Sequence, residues 1–272
     1  MASPANNIPL ALVTAGSAGL GAAVAELFAR NGMRVAINYH GNAQRAEDLV
    51  GKLKSISTLV PKEGRVDYHA IKADLSVRTD VERLVKETMS AMCPDSSKPQ
   101  LDVVFSNGGW TRMTNLMDLE EAMVDDDWDR CFTMNVKSHL WLLYAAKPYL
   151  EAGYSEKDGA SSFITTASLA GVKVSGSSLA YSVTKAAQLQ LAKGLAMIAA
   201  PKIRVNSVSP GLLLTEWGLK FPPERIKAMQ EASKLKRIAT VEDVAEQVMA
   251  FVRAKSVSGQ NMVLDGGFGM PW

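Results

Sequence analysis

Residues 8–32 read IPLALVTAGSAGLGAAVAELFARNG, and this stretch decides the fold. Positions 8–14 form an apolar run typical of a buried strand, and positions 20–31 have the length and periodicity of a helix. The turn between them is rich in glycine. Gly32 stands where a helix ends, because glycine adopts the left-handed conformation at little cost. The stretch therefore predicts a strand, a tight turn and a helix, which form the first unit of an α/β fold.

The same alternation of short apolar runs and longer amphipathic stretches continues to the end of the chain. Further strands are predicted at 34–38, 66–71, 101–105, 162–166, 203–209 and 261–264, and further helices at 43–59, 77–92, 126–150, 179–199 and 241–253. Strands separated by helices need right-handed crossovers, which place helices on both faces of a parallel sheet. The prediction is a Rossmann-type doubly wound parallel sheet of about seven strands, in a single α/β domain that covers residues 1–272.

The composition argues against several classes of function. The 272 residues are 47% hydrophobic and 21% charged with a net charge of +2, so neither a nucleic acid nor a membrane is expected as a partner. No apolar run reaches the roughly 20 residues that cross a bilayer, and residues 1–9 do not resemble a signal peptide. Cys93 and Cys131 lie far apart with no CxxC partner, so no metal site is expected. A cytoplasmic protein is the prediction.

The turn at 14–21, TAGSAGLG, has the character of a phosphate-binding loop. Its glycines allow the backbone to approach a pyrophosphate, and the helix after it offers free N–H groups and the positive end of its dipole. A tight strand-to-helix connection is the simpler alternative. The turn resembles the TGxxxGxG motif of the short-chain dehydrogenase/reductase family, with Ala15 in place of the first glycine. We expect this departure to have little effect if Ala15 keeps an ordinary backbone conformation.

Tyr181 and Lys185 are the pair to which we assign proton transfer. They are four residues apart in a predicted helix, so their side chains are neighbours on one face. Tyr68 and Lys72 have the same spacing, but four residues of a strand span roughly 13 Å and keep the side chains apart. An ammonium beside a phenol favours the phenolate, so Lys185 should lower the pKa of Tyr181 from its usual value of about 10. Tyr181 would then donate a proton to a carbonyl oxygen whose carbon receives a hydride.

Ser168 and Asn135 complete the predicted catalytic group. Ser168 stands 13 residues before Tyr181, where the resembled family has its catalytic serine, and a hydroxyl there would hydrogen-bond the substrate oxygen. Asn135 stands at the place of the family's asparagine, and the resemblance implies that it anchors a water linking Lys185 to solvent. The serines at 161–162 are poorer candidates, because they lie before or at the start of the predicted strand.

The end of the second predicted strand bears on the choice of cofactor. Folds of this type use an acidic residue there to hold the ribose hydroxyls of NAD, and positions 27–46 contain no Asp or Glu. A 2′-phosphate is therefore tolerated, and Asn38, His40 and Arg45 are candidate donors to it. Ala18 argues the other way, since many NADP-preferring relatives carry a basic residue at that position. The prediction is NADP(H) rather than NAD(H).

Three more elements resemble cofactor contacts of the family. Asp74 follows the third strand, where such a residue meets the adenine. The segment that contains Asn107 resembles the NNAG element of the family, with Ser106 and Gly108 as departures. Residues 210–215 resemble the PGxxxT segment that holds the nicotinamide. Each element alone would be an ordinary turn. The full predicted cofactor set is Gly16, Ser17, Gly19, Leu20, Gly21, Asn38, Tyr39, His40, Asp74, Leu75, Asn107, Gly108, Tyr181, Lys185, Pro210, Gly211, Leu213 and Thr215.

The segment from about 211 to 236 is predicted to form a lid over the substrate, as the corresponding segment does in the family. Its apolar residues are Leu212, Leu213, Leu214, Trp217, Leu219 and Phe221. An apolar lid excludes water and favours a hydrophobic or aromatic substrate. Packing of these residues on the domain is the alternative. Further candidates for the same pocket are Trp110, Met113, Val174, Met270 and Trp272.

Taken together, the motifs resemble carbonyl reductases of the family over nearly the whole chain. The resemblance implies an oxidoreductase that transfers a hydride between NADP(H) and a ketone of secondary metabolism, with an imine as an alternative substrate. Binding of NADP(H) without turnover, in a regulator or scaffold, is a further alternative, because a fold does not determine function. The predicted helices at 126–150 and 179–199 resemble those that pair subunits in the family, so a homodimer or homotetramer is expected.

Overall fold

The computed structural model describes residues 8–94, 96–155 and 159–270. The strands are β1 (Leu10–Val13), β2 (Arg34–Tyr39), β3 (Tyr68–Lys72), β4 (Val103–Ser106), β5 (Ser161–Thr166), β6 (Ile203–Pro210) and β7 (Asn261–Leu264). The helices are α1 (Gly19–Arg30), α2 (Ala43–Ile56), α3 (Arg78–Met92), α4 (Leu119–Ala122), α5 (Asp125–Phe132), α6 (Ser138–Ala152), α7 (Leu179–Ala199), α8 (Pro223–Ala232) and α9 (Val241–Arg253).

The seven strands form one sheet in the order β3-β2-β1-β4-β5-β6-β7, and every neighbouring pair is parallel. One apolar cluster joins the sheet to α1, α2 and α9 through residues such as Phe28, Leu49 and Val244. A second cluster joins it to α3, α6 and α7 and includes Leu84 and Leu142. Because helices cover both faces, the central strands are buried on both sides, whereas the edge strands β3 and β7 are partly exposed. The predicted doubly wound parallel sheet is confirmed.

The strand order reverses beside β1, which pairs with β2 on one side and with β4 on the other. Crossovers leave this point in opposite directions, so a crevice opens outside the carboxyl ends of the strands. The turns after β1, β3, β4, β5 and β6 all reach this edge, because the strands are parallel. This edge therefore brings together motifs that lie far apart in the sequence.

The predicted helix at 126–150 contains an irregularity that its sequence does not announce. Between α5 and α6 lies a π-helical turn, Thr133–Lys137, in which the N–H of Ser138 donates to the carbonyl of Thr133. Such turns occur mostly as single bulges within α-helices and are frequent at functional sites. Asn135 lies in the middle of this turn.

Smaller departures from prediction occur at element ends. The helix predicted at 43–59 ends at Ile56, since Ser57 is extended and its hydroxyl is hydrogen-bonded to the Tyr68 hydroxyl at 2.6 Å. The segment after residue 211, which has no place in the strand–helix alternation, contains a 3₁₀ turn at Gly218–Lys220 and then α8. In the part of the chain that the structure describes, every helix is too short or too polar to cross a membrane.

Candidate active site

The turn after β1 is shaped for a group that approaches its backbone. A Cβ atom at Gly16 would lie 2.8 Å from the carbonyl oxygen of Val13, and one at Gly21 would lie 2.3 Å from that of Ala15, so neither position accepts a side chain. Gly19, with φ +51°, opens α1, whose first turn has no side-chain cap. Free N–H groups are thus left at the positive end of the helix. These features fit the pyrophosphate of a dinucleotide.

Ala15 does not keep an ordinary backbone conformation. Its φ is +46°, in the left-handed region, and its N–H donates to Oδ1 of Asn38 at 3.1 Å. A residue other than glycine in this region costs roughly 1–2 kcal/mol. The condition under which the departure from the motif would have little effect is therefore not met, because the alanine holds a conformation that suits glycine.

We expect Ala15→Gly to raise the free energy of unfolding by about 1 kcal/mol. The substitution removes the left-handed strain, and only part of that gain is offset by the greater freedom of glycine in the unfolded chain. Thermal unfolding should show a Tm higher by about 2–4 °C. Ala22→Gly, inside α1, is the matched control and should lower stability by about 1 kcal/mol. A lower Tm for Ala15→Gly would contradict the strain argument.

The prediction that Asn38 donates to a 2′-phosphate is wrong. Its side chain is buried, Oδ1 accepts from the N–H of Ala15, and Nδ2 donates to the carbonyl oxygens of Tyr39 and Ala73, each at 3.1 Å. Both donors of the amide are therefore used within the protein. Asn38 holds the glycine-rich turn against the ends of β2 and β3.

The other two phosphate candidates are more accessible. His40 places Nδ1 4.0 Å from Oδ2 of Asp74, and three-quarters of its side chain is exposed. Nη1 of Arg45 donates to Oε1 of Glu216 at 2.7 Å, and Glu216 lines the cleft at this edge of the sheet. Nε of Arg45 is buried and has no hydrogen-bond partner among the described residues. The contacts of His40 and Arg45 with a cofactor stay predictions.

The segments after β3 and β4 pack beside the glycine-rich turn that follows β1. The N–H of Asn107 donates to Oγ1 of Thr14 at 2.9 Å, and its Oδ1 accepts from Oγ1 of Thr166 at 2.9 Å. Asn107 thus ties together the ends of β1, β4 and β5. Leu75 packs so closely on Gly108 that a Cβ atom there would lie 2.5 Å from Cδ1 of the leucine. An alanine at 108, as in the NNAG pattern, would therefore require the end of the Leu75 side chain to shift.

A cleft of about 700 Å³ runs along this edge. The predicted cofactor residues that line it are Gly19, Leu20, Asn107, Tyr181, Lys185, Pro210, Gly211, Leu213 and Thr215. The predicted residues that lie outside its lining are Gly16, Ser17, Gly21, Asn38, Tyr39, His40, Asp74, Leu75 and Gly108. Ala15, Ala18 and Gly109 line the cleft without having been predicted to do so. Several of the predicted residues outside the lining, such as Gly16 and Asn38, contact the backbone of the glycine-rich turn and not the cleft.

Ser168, Tyr181 and Lys185 line the same cleft. Ser168 follows β5 and caps a 3₁₀ turn by accepting from the N–H of Ala170 at 3.1 Å. Tyr181 and Lys185 lie one turn apart on α7, which begins at a Ser178 cap, and Nζ of Lys185 is 5.6 Å from the centroid of the Tyr181 ring. The three predicted side chains therefore converge, whereas the serines at 161–162 lie at the opposite end of β5.

The electrostatics of this group differ from expectation. Burial raises the pKa of Tyr181 to about 12, although the hydrogen bond with Ser168 acts to lower it. Burial also lowers the pKa of Lys185 to about 7. The prediction that Lys185 holds the pKa of Tyr181 below its usual value is therefore wrong for the unliganded protein, because the loss of water around the phenol outweighs the hydrogen bond with Ser168. Tyr181 keeps its proton at neutral pH.

Asn135 is completely buried and packs the site from the α5–α6 side. Its Oδ1 accepts from the N–H of Trp110 at 2.8 Å, and Nδ2 donates to the Trp110 carbonyl at 2.9 Å and to Oγ1 of Thr184 at 3.0 Å. A Cβ atom at Gly109 would lie 3.3 Å from Oδ1 of Asn135 and 3.5 Å from Nζ of Lys185. Asn135 thus fixes the segment beside Lys185, and its role in holding a water stays a prediction.

The rest of the cleft is mainly apolar. Met113, Val174, Leu212, Leu213, Trp217 and Phe221 line it as predicted, and Phe268, Met229, Lys173 and Arg225 line it without having been singled out. Trp217 meets Tyr181 edge to face, with ring centroids 6.3 Å apart. Trp110 lies outside the lining and stacks under Arg130 at 4.5 Å instead. Met270, Leu214 and Leu219 also lie outside the lining, and Trp272 is beyond the described residues.

The fold and the site together define a class, the oxidoreductases that use a nicotinamide dinucleotide. A family model described as enoyl-(acyl carrier protein) reductase matches residues 14–269. The chain is 31% identical over 98% of its length, and 98% of the relative's, to a protein of Streptomyces violaceoruber named as a ketoacyl reductase of the granaticin polyketide synthase. It is 30% identical over 96% of its length, and 98% of the relative's, to a 3-oxoacyl-(acyl-carrier-protein) reductase of Staphylococcus aureus. The chain belongs to the short-chain dehydrogenase/reductase family.

Solved structures agree with this assignment. The Pseudomonas aeruginosa RhlG complex with NADP has a TM-score of 0.82 at 25% identity, covering 96% of each chain. A short-chain dehydrogenase of Burkholderia cenocepacia in complex with NADP has a TM-score of 0.80 at 28% identity, covering 96% of this chain and 97% of its own. Both contain the cofactor that the sequence predicts, which supports a nicotinamide dinucleotide in the cleft described above.

Proposed function

We propose that this protein is an NADP(H)-dependent reductase of a hydrophobic ketone. The observation that carries the proposal is the convergence of Ser168, Tyr181 and Lys185 in an apolar cleft that also contains the dinucleotide turn. Relatives named as ketoacyl reductases support carbonyl chemistry, and one of them is assigned to a polyketide synthase. We therefore propose a ketone of secondary metabolism as the substrate.

The bound cofactor would supply the hydride, and the side chains would handle the proton and the charge. Ser168 would hydrogen-bond the carbonyl oxygen and stabilise the negative charge that develops there. Tyr181 would give its phenolic proton to that oxygen, so that an alcohol and a phenolate result. Lys185 would stabilise the phenolate through its ammonium charge. Burial keeps Tyr181 protonated at neutral pH, so the proton to be transferred is present, and the positive charge of Lys185 would stabilise the phenolate that remains.

The test is NADPH oxidation with a panel of hydrophobic ketones, quinones and cyclic imines, each compared with a small polar ketone. We expect kcat/KM for the hydrophobic ketones to be at least about tenfold higher, because the cleft wall is apolar. If only the imines are turned over, the substrate of this site is an imine and not a ketone. If the protein binds NADPH but turns over none of the compounds, the result would favour the alternative that it is a regulator or scaffold that binds NADP(H).

Arg45 is the proposed contact for the 2′-phosphate, since its side chain is 40% exposed and its Nη1 donates to Glu216, which lines the cleft. Arg45→Met should raise KM for NADPH about 10- to 100-fold, the range for a hydrogen bond to a charged group, and leave KM for NADH nearly unchanged. Arg30→Met, on the exposed end of α1, is the control. A wild-type enzyme that prefers NADH would contradict the proposed cofactor, and an equal loss with both cofactors would contradict the role of Arg45.

Three further features of the proposal concern organisation. We propose that residues 211–236 act as a lid of a single domain, because Trp217 of this segment packs on Tyr181.

Exposed apolar residues on α6 and α7, among them Leu140, Tyr144 and Val183, support a homodimer or homotetramer. Light scattering at micromolar concentration tests the assembly, and a monomer mass would contradict it. We also retain the cytoplasm as the proposed location.

A further inference from the structure

A buried polar network surrounds the ammonium of Lys185. Nζ of Lys185 donates to Oε1 of Gln188 at 2.8 Å and to the carbonyl oxygen of Thr166 at 2.8 Å. Lys185 is 3% exposed and Gln188 is 0% exposed. Two of the three ammonium protons are therefore bound inside the protein, by groups that belong to neither the cofactor turn nor the predicted catalytic set.

The donor role of Lys185 sets the orientation of the Gln188 amide. An ammonium only donates, so Gln188 must turn its oxygen toward Lys185 and its Nε2 away. Nε2 then donates to Nε2 of His139 at 2.9 Å and also meets Oγ1 of Thr165 and the Thr166 carbonyl. His139 accepts at Nε2 in the tautomer that carries its proton on Nδ1, which lies 2.6 Å from Oγ of Ser106 and 3.2 Å from Oγ1 of Thr165. The chain of hydrogen bonds thus runs from Lys185 to β4.

Among the described residues, Gln188 is the side chain that accepts a hydrogen bond from Lys185. The titratable groups that act on Lys185 or are acted on by it are Tyr181 on its own helix, Cys131 on α5 and His139 on α6. Burial, and then the charge of Lys185, lower the pKa of His139 to about 3, so the imidazole is neutral. Burial raises the pKa of Cys131 to about 11, so the thiol is neutral as well. No carboxylate among the described residues is hydrogen-bonded or paired with Lys185.

We propose that Gln188 is a positioning residue for Lys185, held in orientation by neutral His139 and required to keep the ammonium charged and beside Tyr181. The proposal rests on the proposed function for its catalytic consequence, but not for its electrostatic part. A hydrogen bond from an ammonium to a buried oxygen stabilises the charged form, and that bond exists only if Gln188 is turned by its partners. His139 cannot serve as a proton relay, since an amide separates it from Lys185.

The direct test follows the titration of Lys185 by the NMR shift of its ¹³Cε in the unliganded protein, assigned by its loss in Lys185→Met. Gln188→Met keeps the length of the side chain and removes the acceptor, so the midpoint should fall by about 1 pH unit, a tenfold change in proton affinity. Gln188→Glu keeps an oxygen and adds charge, so the midpoint should rise. Gln190→Met, exposed two residues along α7, should leave it unchanged. A midpoint in Gln188→Met equal to or above the wild-type value overturns the proposal, as does a fall in Gln188→Glu.

Kinetics test the catalytic part. For Gln188→Met we expect kcat for ketone reduction to fall about fivefold at pH 7, with KM for the ketone changed less than twofold and the high-pH limb of the profile displaced to lower pH. Gln188→Glu should restore kcat and displace the limb to higher pH. A lower Tm with an unmoved pH profile would make Gln188 a merely structural residue. A wild-type enzyme without turnover, combined with the expected NMR midpoints, would refute the proposed function and leave the electrostatic role of Gln188 intact.

Discussion

Tyr181→Phe is expected to lower kcat for ketone reduction by about 10²- to 10⁴-fold, the range that general acid catalysis contributes. The substitution removes the proton that would pass to the carbonyl oxygen and keeps the ring that packs against Trp217. Cofactor affinity, measured by NADPH fluorescence, and Tm should therefore stay close to the wild-type values. The loss should appear in kcat and kcat/KM alike, because the proton is transferred in the transition state.

Tyr68→Phe is the matched control for this prediction. Tyr68 has the same spacing to a lysine as Tyr181, but it lies on β3 and its hydroxyl is bonded to Ser57. Its loss should cost about 1 kcal/mol of stability at most and leave kcat unchanged. Undiminished turnover in Tyr181→Phe would remove the central assignment of the site, whatever the control does.

Lys185→Met is expected to lower kcat/KM for reduction by about 10²- to 10³-fold, the range for one charged group that stabilises the transition state. The pH dependence gives a sharper expectation. Since the pKa of Lys185 is lowered to about 7, the ammonium is present below that pH and is lost as the pH rises through it. Wild-type kcat/KM, which reports the free enzyme, should therefore fall about tenfold per pH unit above this point. In the Lys185→Met variant, kcat/KM should not show this fall at high pH.

The control is Lys193→Met, which removes an exposed lysine from the same helix two turns later. It should keep both the rate and the profile of the wild type. If the wild type and Lys185→Met share one high-pH limb, another group titrates there. The assignment of that limb to Lys185 would then fail, even if the rate falls.

Several features of the site were predictable because they depend on local patterns. The glycines at 16, 19 and 21 sit between an apolar run and a helical stretch, and the structure places them in a turn that accepts no side chain at two of these positions. Tyr181 and Lys185 were separable from Tyr68 and Lys72, because a helix brings residues four apart onto one face whereas a strand spaces them out. The parallel arrangement of the strands followed from their alternation with helices, whereas their order in the sheet came from the structure.

Other features were not predictable, because they depend on the distance between side chains that are remote in sequence. Asn38 looked like a phosphate contact at the end of a strand, yet it braces a turn that lies 23 residues earlier. Burial decided the pKa of Tyr181, and burial is a property of the assembled cleft. Phe268 joins the cleft wall through the return of the chain after β7.

The sequence by itself determined the doubly wound fold, and its periodicity and motif order singled out the glycine-rich turn and the group Ser168, Tyr181 and Lys185, which the structure brings to one cleft. Only the tertiary structure decided how those groups are tuned. It set Ala15 in a left-handed conformation, introduced a π-helical turn at Asn135, and placed Gln188 between Lys185 and a histidine 49 residues earlier. The physical reason is that backbone pattern follows from neighbours in the chain, whereas burial and hydrogen bonding follow from neighbours in space.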